Sequence, residues 1–160
     1  MKQAEGGDVM NWSKLRVGVV VARWNSMVTD EMKDGAILAL EAKGVSSEAI
    51  HVVSCPGSFE VPLACKWLAE RDDVDGVIAI GAVIRGDTPH FDYVCRAVTD
   101  GIRELNMQTG KPIAFGILTT DTVQQAMERA GRDRGNKGAE AALALCEMLE
   151  LKASLSGRLK

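Results

Sequence analysis

The sequence lacks an excess of basic charge, a long apolar run and a cysteine pair with metal-ligand spacing. Its 160 residues include 19 Lys and Arg against 22 Asp and Glu, which gives a formal net charge of -3. Because nucleic-acid binding by bulk electrostatics needs a basic face that displaces counterions, this balance argues against a nucleic-acid partner. No apolar run approaches the roughly 18 residues of a membrane span, so no membrane partner is expected. Residues 1–14 contain no apolar core of a signal peptide and are interpreted as a polar tail.

The cysteines do not form a metal-binding pattern. No two of them have a CxxC spacing, and the two histidines of the chain are far apart; the cysteines are Cys55, Cys65, Cys95 and Cys146. No zinc site is therefore predicted. Unpaired thiols are typical of the reducing cytoplasm, which is the expected location of the protein.

Four short apolar runs are rich in Val and Ile and are bounded by turn residues. They cover residues 15–22, 50–54, 76–84 and 112–119. Continuous rather than alternating apolarity is typical of strands that are buried on both faces, as in a parallel sheet. No linker divides the chain, so we expect the tail 1–14 to precede a single domain over residues 15–160.

Helix-like segments alternate with these runs. They cover residues 29–43, 59–70, 89–109, 121–130 and 136–151. Thr88 followed by Pro89 is a strong helix start, and Asp121 with Gln124 resembles a capping box. The order β-α-β-α-β-α-β-α-α predicts a three-layer α/β/α sandwich around a four-stranded parallel sheet. Ligands of such sheets bind beyond the carboxyl ends of the strands, so the loops there are the candidate site.

The loops after the first two predicted strands carry an indole and short polar groups. Trp24 can stack on a flat heterocycle and Asn25 can hydrogen-bond a polyol or a ring edge; alternatively, Trp24 is a core residue and Asn25 a helix cap. Ser58 and Glu60 fall at the start of the second predicted helix, where exposed N–H groups bind polar ligands. On chemistry alone, ordinary capping and dipole compensation are the favoured interpretation of Ser58 and Glu60.

The loop after the third predicted strand, residues 81–90, indicates an anion site. Gly86 permits a tight turn, and the N–H groups of Asp87, Thr88 and His90 then lie near the start of a long helix, where phosphate binds. A helix N-terminus disfavours a charged imidazole. His90 is therefore a candidate neutral base beside a phosphorylated substrate, and the alternative is a surface or capping histidine.

Two cations follow the fourth predicted strand. Arg129 stands near the end of the fourth predicted helix, and Lys137 stands at the start of the last one. Guanidinium and ammonium groups both pair with phosphate, so these residues are candidate phosphate partners. Taken singly, each is better explained as a solvated surface charge.

Together these segments resemble the 6,7-dimethyl-8-ribityllumazine synthases, a family of riboflavin biosynthesis, from about residue 15 to residue 151. The first three motifs are Arg-Trp-Asn at 23–25, Pro-Gly-Ser-Phe-Glu-Val-Pro at 56–62 and Gly-Ala-Val-Ile-Arg-Gly at 81–86. The others are Thr-Pro-His-Phe-Asp-Tyr-Val at 88–94, Phe-Gly-Ile-Leu-Thr-Thr at 115–120, and Glu-Arg-Ala-Gly with Asn-Lys-Gly within 128–138. One such motif would be weak evidence, whereas six in order at compatible spacing are specific.

The resemblance implies a flavodoxin-like fold and a reaction without a cofactor or metal. That reaction joins 5-amino-6-(D-ribitylamino)uracil to 3,4-dihydroxy-2-butanone 4-phosphate and releases phosphate and water, in the penultimate step of riboflavin synthesis. By resemblance, Trp24 stacks on the pyrimidine, and Phe115 packs on it from a neighbouring subunit. The resemblance assigns the ring edge, the ribityl chain and backbone contacts of this substrate to Asn25, Ser58, Phe59, Glu60, Ala82, Val83 and Ile84.

The butanone phosphate side of the site is assigned in the same way. By resemblance, Asp87 and Thr88 form the phosphate-binding turn, and Arg129 of a neighbouring subunit clamps the phosphate. Lys137 resembles an accessory residue near the phosphate, and His90 matches the proton-transfer histidine. Asp87 departs from the family pattern, because many members carry a small residue there. A carboxylate that points into this turn would repel the phosphate.

The resemblance also implies a homo-oligomer. Members form pentamers, some of which build icosahedral shells of sixty subunits, with active sites between adjacent subunits. The polar tail is expected to add a strand to the sheet of a neighbouring subunit, as in relatives. The turn over residues 131–136 has the length typical of shell-forming members, although Arg and Asp replace the usual middle residues. It favours the shell over a free pentamer.

Three other interpretations stay open at this point. One is a different enzyme of the same fold, such as an archaeal-type riboflavin synthase, which the Thr-Pro-His and Glu-Arg-Ala-Gly motifs disfavour. Another is a shell or flavin-binding protein without catalysis, which would be expected to lack His90 or Arg129. The third is a flavodoxin-like FMN carrier, which the order of elements alone allows.

Overall fold

Four parallel strands form one sheet at the centre of the protein. The computed structural model describes residues 10–132 and 135–158. The sheet has the order β2-β1-β3-β4 with every neighbouring pair parallel, and its strands are β1 (Val17–Ala22), β2 (Ile50–Cys55), β3 (Gly76–Ile84) and β4 (Ile113–Thr120). The predicted α/β fold with a four-stranded parallel sheet is confirmed.

Helices flank this sheet on both faces. They are α1 (Ser26–Lys43), α2 (Val61–Ala69), α3 (His90–Thr109), α4 (Val123–Glu128) and α5 (Lys137–Arg158). Successive strand residues point to opposite layers: Val19 belongs to the core cluster that includes residues of α1 and α5, and Val20 to the cluster that includes residues of α2 and α3. Both faces of each central strand are covered, which explains the continuous apolar runs. Among the described residues, no helix is long and apolar enough to cross a membrane.

The strand order creates a crevice at one edge of the sheet. Strands β1 and β3 are neighbours, but the chain leaves β1 for β2 on one side and leaves β3 for β4 on the other. The loops that follow β1 and β3 therefore diverge at the carboxyl ends of these strands. Such a switch in strand order is where ligands bind in open α/β sheets.

Two predicted helix caps differ from the structure by one residue. Helix α3 begins at His90 instead of Pro89, and Thr88 Oγ1 accepts the His90 N–H at 3.4 Å. The cap of α4 is Thr122, whose hydroxyl accepts the N–H of Gln125 at 3.1 Å; the prediction of Asp121 with Gln124 was wrong. The reason is that β4 stays paired with β3 through Thr120, which delays the turn into the helix.

A short hairpin that the sequence analysis did not predict precedes α5. It consists of β5 (Ala130–Arg132) and β6 (Gly135–Asn136), which pair antiparallel. Gly131 at φ 114° and Gly135 at φ 74° adopt left-handed backbone that favours glycine. Residues 133 and 134, in the middle of the turn that bears on shell assembly, lie outside the described residues.

The N-terminal tail is described only at its end. Residues 1–9 lie outside the described residues, and the predicted addition of a strand to a neighbouring subunit falls largely on them. Trp12–Lys14 form a single 3-10 turn, and Leu15 after it is buried in the core. The predicted single domain over residues 15–160 stays a prediction.

Candidate active site

A cavity of about 620 Å³ opens at the carboxyl ends of β1 and β3, where the strand order switches. We refer to it as the first cavity. Its lining consists of Trp24, Asn25, Ser58, Phe59, Glu60, Ala82, Val83, Ile84, Gly86, Thr88, His90, Phe91 and Val94. Three loops and the first turns of α3 thus bring most of the predicted site residues together.

The loops after β1 and β2 are fastened to each other by backbone hydrogen bonds. Arg23 N–H donates to the carbonyl of Cys55 at 2.8 Å, and Trp24 N–H donates to the carbonyl of Pro56 at 2.9 Å. These bonds extend the pairing of the two strands past their ends. The Trp24 side chain is nonetheless 64% exposed, so the alternative of a core tryptophan is wrong. Its indole is available as a stacking surface at the cavity.

Asn25 and Ser58 converge on one carbonyl oxygen at the end of β3. Asn25 Nδ2 donates to the Ala82 oxygen at 3.2 Å, and Ser58 Oγ donates to it at 3.4 Å. Asn25 has left-handed backbone at φ 65°, and its side chain makes no capping bond to α1. Gly81 leaves the space for the hydroxyl, since a Cβ there would lie 2.5 Å from Ser58 Oγ. The three loops are therefore tied together at Ala82.

Glu60 closes the turn that precedes α2. Its Oε2 accepts the N–H of Gly57 at 3.1 Å, so the capping interpretation of this carboxylate is confirmed. The same residue lines the first cavity. Burial raises the pKa of the nearby Cys55 thiol, and the negative charge of Glu60 raises it further. Glu60 therefore fastens the turn and also contributes negative charge to the cavity wall.

The turn after β3 has its predicted position at the cavity. Thr88 and His90 line the cavity, whereas Asp87 is exposed and is not part of the lining. Of the three predicted anion-binding N–H groups, that of His90 donates to Thr88 Oγ1. The N–H groups of Asp87 and Thr88 have no acceptor among the described residues. They are free to bind an anion from this side of the cavity.

A second cavity, of about 540 Å³, contains the remaining predicted residues. It lies along the edge strand β4, beside α4 and the start of α5, and its lining consists of Phe115, Ile117, Leu118, Thr119, Thr120, Gln125, Arg129, Lys137 and Glu140. Within the described part of the chain, no residue lines both cavities. A single chain therefore does not bring Phe115, Arg129 and Lys137 to His90.

Arg129 and Lys137 are held next to each other in the second cavity. Arg129 Nη1 donates to the carbonyl of Gln125 at 3.0 Å and lies 3.8 Å from Glu128 Oε2. The Arg129 carbonyl accepts the N–H of Lys137 at 2.8 Å. The Arg129 side chain stays 40% exposed. Both cations are therefore available to an anion that approaches from outside the chain.

Comparison with known proteins decides the family. The family model of 6,7-dimethyl-8-ribityllumazine synthase matches residues 14–153. The chain belongs to the 6,7-dimethyl-8-ribityllumazine synthase family. A 6,7-dimethyl-8-ribityllumazine synthase of Parabacteroides distasonis is 47% identical over 153 residues, which is 96% of this chain and 96% of that protein. One of Porphyromonas gingivalis is 51% identical over 138 residues, 86% of each chain.

Membership in the lumazine synthase family confirms the function predicted from the six motifs. The protein is an enzyme that carries out the lumazine synthase reaction of riboflavin biosynthesis. Besides Gly86 of the predicted anion-binding turn, the first cavity contains two residues that were not predicted as site residues, Phe91 and Val94. Their spacing from His90 places all three on one face of the first turns of α3, so helical periodicity could have identified them.

Proposed function

We propose that the active site of this lumazine synthase forms between two copies of the chain. The first cavity of one copy supplies the pyrimidine side and His90, and the second cavity of a neighbour supplies Phe115, Arg129 and Lys137. The observation that carries the proposal is the division of the candidate residues between two cavities that share no lining residue in the described ranges 10–132 and 135–158. An aromatic ring and two cations left on a separate surface are useful to the reaction only if another copy presents them.

The pyrimidine binds in the first cavity. The exposed indole of Trp24 stacks on the ring, with Phe59 in the same wall of the cavity. The set that contacts the ring edge and the ribityl chain consists of Asn25, Ser58, Glu60 and the backbone of Ala82, Val83 and Ile84. Support comes from the hydrogen bonds to the Ala82 carbonyl, because they preorganise the three loops before substrate arrives.

The butanone phosphate binds where the turn after β3 meets the neighbour. The free N–H groups of Asp87 and Thr88 donate to the phosphate from one side, and Arg129 and Lys137 of the neighbour pair with it from the other. The Asp87 carboxylate points to solvent in this arrangement, in keeping with its exposure. An Asp87→Ala variant is then expected to bind inorganic phosphate with nearly unchanged affinity. Sharply tighter binding would show instead that the carboxylate faces the phosphate.

The chemistry follows from the two bound substrates. The 5-amino group of the pyrimidine attacks the butanone carbonyl, and a first water leaves to give an imine. Loss of a proton from the neighbouring carbon then expels phosphate and leaves an enol, which becomes a second carbonyl. The ribitylamino nitrogen attacks this carbonyl, and loss of a second water closes the ring of the lumazine. Each step moves a proton, and His90, at the phosphate end of the first cavity, serves as acid and base. Holding both substrates in register contributes much of the acceleration.

The assembly we propose is an icosahedral shell of sixty subunits, built from pentamers. The groove between β2 and α2 supports a subunit interface, since its exposed apolar side chains, Val53, Leu63 and Trp67, form one patch. Sedimentation is the test: a species near sixty subunits is expected. Pentamers or decamers alone would contradict the shell but would still be compatible with an active site shared between subunits.

The four free thiols support a cytoplasmic location.

Complementation between two inactive variants tests the shared site. His90→Ala and Arg129→Ala are each expected to lose most of the turnover, which is followed by lumazine absorbance above the spontaneous reaction. In mixed oligomers from co-expression, about a quarter of the sites combine an intact His90 with an intact Arg129. Activity is therefore expected to return in the mixture. If both residues belonged to one subunit's site, every site would stay defective and no activity would return.

A further inference from the structure

The turn that carries Thr88 and His90 makes few bonds of its own. Its hydrogen bonds among the described residues are local, from His90 N–H to Thr88 Oγ1 at 3.4 Å and from Asp92 N–H to the Pro89 carbonyl at 2.9 Å. A Cβ built on Gly86 would have no heavy atom within 4 Å, so nothing packs on the turn at that point. Something outside the turn must fix its position if it is to bind phosphate in a defined place.

Arg85 contacts the chain on both sides of this turn. Its N–H donates to the Thr120 carbonyl at 2.9 Å, which continues the pairing of β3 with β4 by one step. Its guanidinium carbon lies 4.3 Å from the centre of the Phe91 ring, in the first turn of α3. One residue thus holds the end of the strand and the start of the helix together.

Two carboxylates orient the Arg85 guanidinium. Nε donates to Asp121 Oδ1 at 2.8 Å, and Nη1 lies 3.8 Å from Asp92 Oδ1. Asp121 follows β4 and Asp92 belongs to α3, so the planar guanidinium joins three elements at one point. All three side chains are exposed, at 46% for Arg85, 63% for Asp92 and 65% for Asp121. Ion pairs this exposed contribute little to global stability. Their main effect is therefore to hold the Arg85 guanidinium in one orientation between the strand ends and α3.

We propose that Arg85 is a positioning residue that sets the place of the phosphate-binding turn and of His90. The inference rests on the proposed function of the first cavity. Arg85 itself does not line that cavity, whereas its neighbours Ile84 and Gly86 do, and so does Phe91, on which it stacks. It therefore acts through the residues on either side of it. The N–H groups that receive the phosphate stay aligned only while the turn is held at both ends.

Steady-state kinetics of Arg85→Gln test the proposal. We expect the KM for the butanone phosphate to rise on the order of tenfold, below the roughly 10²-fold that a 1 Å misplacement near the chemistry can cost. The KM for the ribitylaminouracil is expected to stay within about twofold, because Trp24, Asn25 and Ser58 lie on other loops. Arg85→Lys keeps the positive charge but loses the planar guanidinium. Its KM for the butanone phosphate is therefore expected to lie between the values of the wild type and of Arg85→Gln.

Arg103→Gln is the matched control. Arg103 belongs to α3, is 69% exposed and pairs with Asp100 at 3.6 Å, away from both cavities. Its removal is expected to leave both KM values unchanged. A general loss of stability in Arg85→Gln would instead raise both KM values or lower the yield of folded enzyme. Asp92→Asn and Asp121→Asn, which each remove one partner, are expected to give a smaller selective rise that does not add to that of Arg85→Gln.

The outcomes separate this inference from the proposed function. Wild-type kinetic constants in Arg85→Gln, or an equal rise of both KM values, overturn the positioning role while the loss of turnover in His90→Ala still supports the proposed site. If His90→Ala and Arg129→Ala turn over normally, the proposed site itself is wrong. A selective rise in the KM for the butanone phosphate, absent in Arg103→Gln, supports both.

Discussion

The indole of Trp24 lies so close to Gly57 that a Cβ on residue 57 would overlap the six-membered ring. Gly57 has extended backbone at φ -133° and ψ 179°, which any residue adopts. Glycine at position 57 is therefore required because a side chain would collide with the indole, and not because of its backbone conformation. This contact leaves the Trp24 indole room to lie against the backbone of residue 57 at the first cavity.

Gly57→Ala is expected to weaken pyrimidine binding about as much as Trp24→Ala does. Stacking of a base on an aromatic side chain is worth about 1–3 kcal/mol, or roughly 5- to 150-fold in affinity. Titration of the enzyme with the ribitylaminouracil, followed by calorimetry, measures the loss. Because both changes act on one contact, the double variant should bind hardly less tightly than either single variant. Wild-type affinity in Gly57→Ala would mean that the indole moves aside without cost.

His90→Ala is expected to lower kcat by roughly 10²-fold, the lower end of the range for general acid–base catalysis. The loss is moderate because the positioning of two substrates persists in the variant. The control is His51→Ala, which removes the other histidine, exposed on β2 and outside both cavities. Its kcat should equal that of the wild type. Unchanged turnover in His90→Ala would remove this histidine from the mechanism.

Gly138→Ala is expected to destabilise the enzyme although alanine is the better helix former. A Cβ at this position of α5 would collide with the backbone carbonyl of Met32 in α1. Overpacking of this kind costs about 1–3 kcal/mol, whereas the gain in helix propensity is about 1 kcal/mol. Thermal unfolding measures the difference. Ala144→Gly is the control at an exposed position of α5, and should cost about 1 kcal/mol. A raised Tm in Gly138→Ala would contradict the close contact.

The four thiols are expected to react slowly with an aromatic disulfide reagent near pH 8. Burial raises the pKa of Cys55, Cys65 and Cys146, and it also raises that of the half-buried Cys95. A raised pKa keeps each group protonated, and only the thiolate reacts, so the rate should climb with pH. Cys95 should react first, and all four should react at once after denaturation. Peptide mapping identifies each site; equally fast labelling of Cys65 in the native enzyme would contradict its burial.

The order of strands and helices could be predicted because its causes are local. Strands such as β1 are apolar throughout since both faces are covered, and this pattern is visible without knowing the partners. The helix caps were predicted less exactly. Thr122 caps α4 instead of Asp121 because pairing between Ile84 and Thr120 extends β4, and that pairing joins residues distant in sequence. The hairpin of β5 and β6 was missed because its strands are too short to give a periodic pattern.

By itself the sequence determined the fold class and, through six ordered motifs, the family and its reaction. Only the tertiary structure decided which candidate site residues contact one another and which cavity of the chain each of them lines. It joins Asn25 and Ser58 at the Ala82 carbonyl, and it places Arg129 in a different cavity from His90. The physical reason is that apolar patterns and motifs record each residue's local environment. The contacts between loops depend on strand order and register, which form only when distant segments pair.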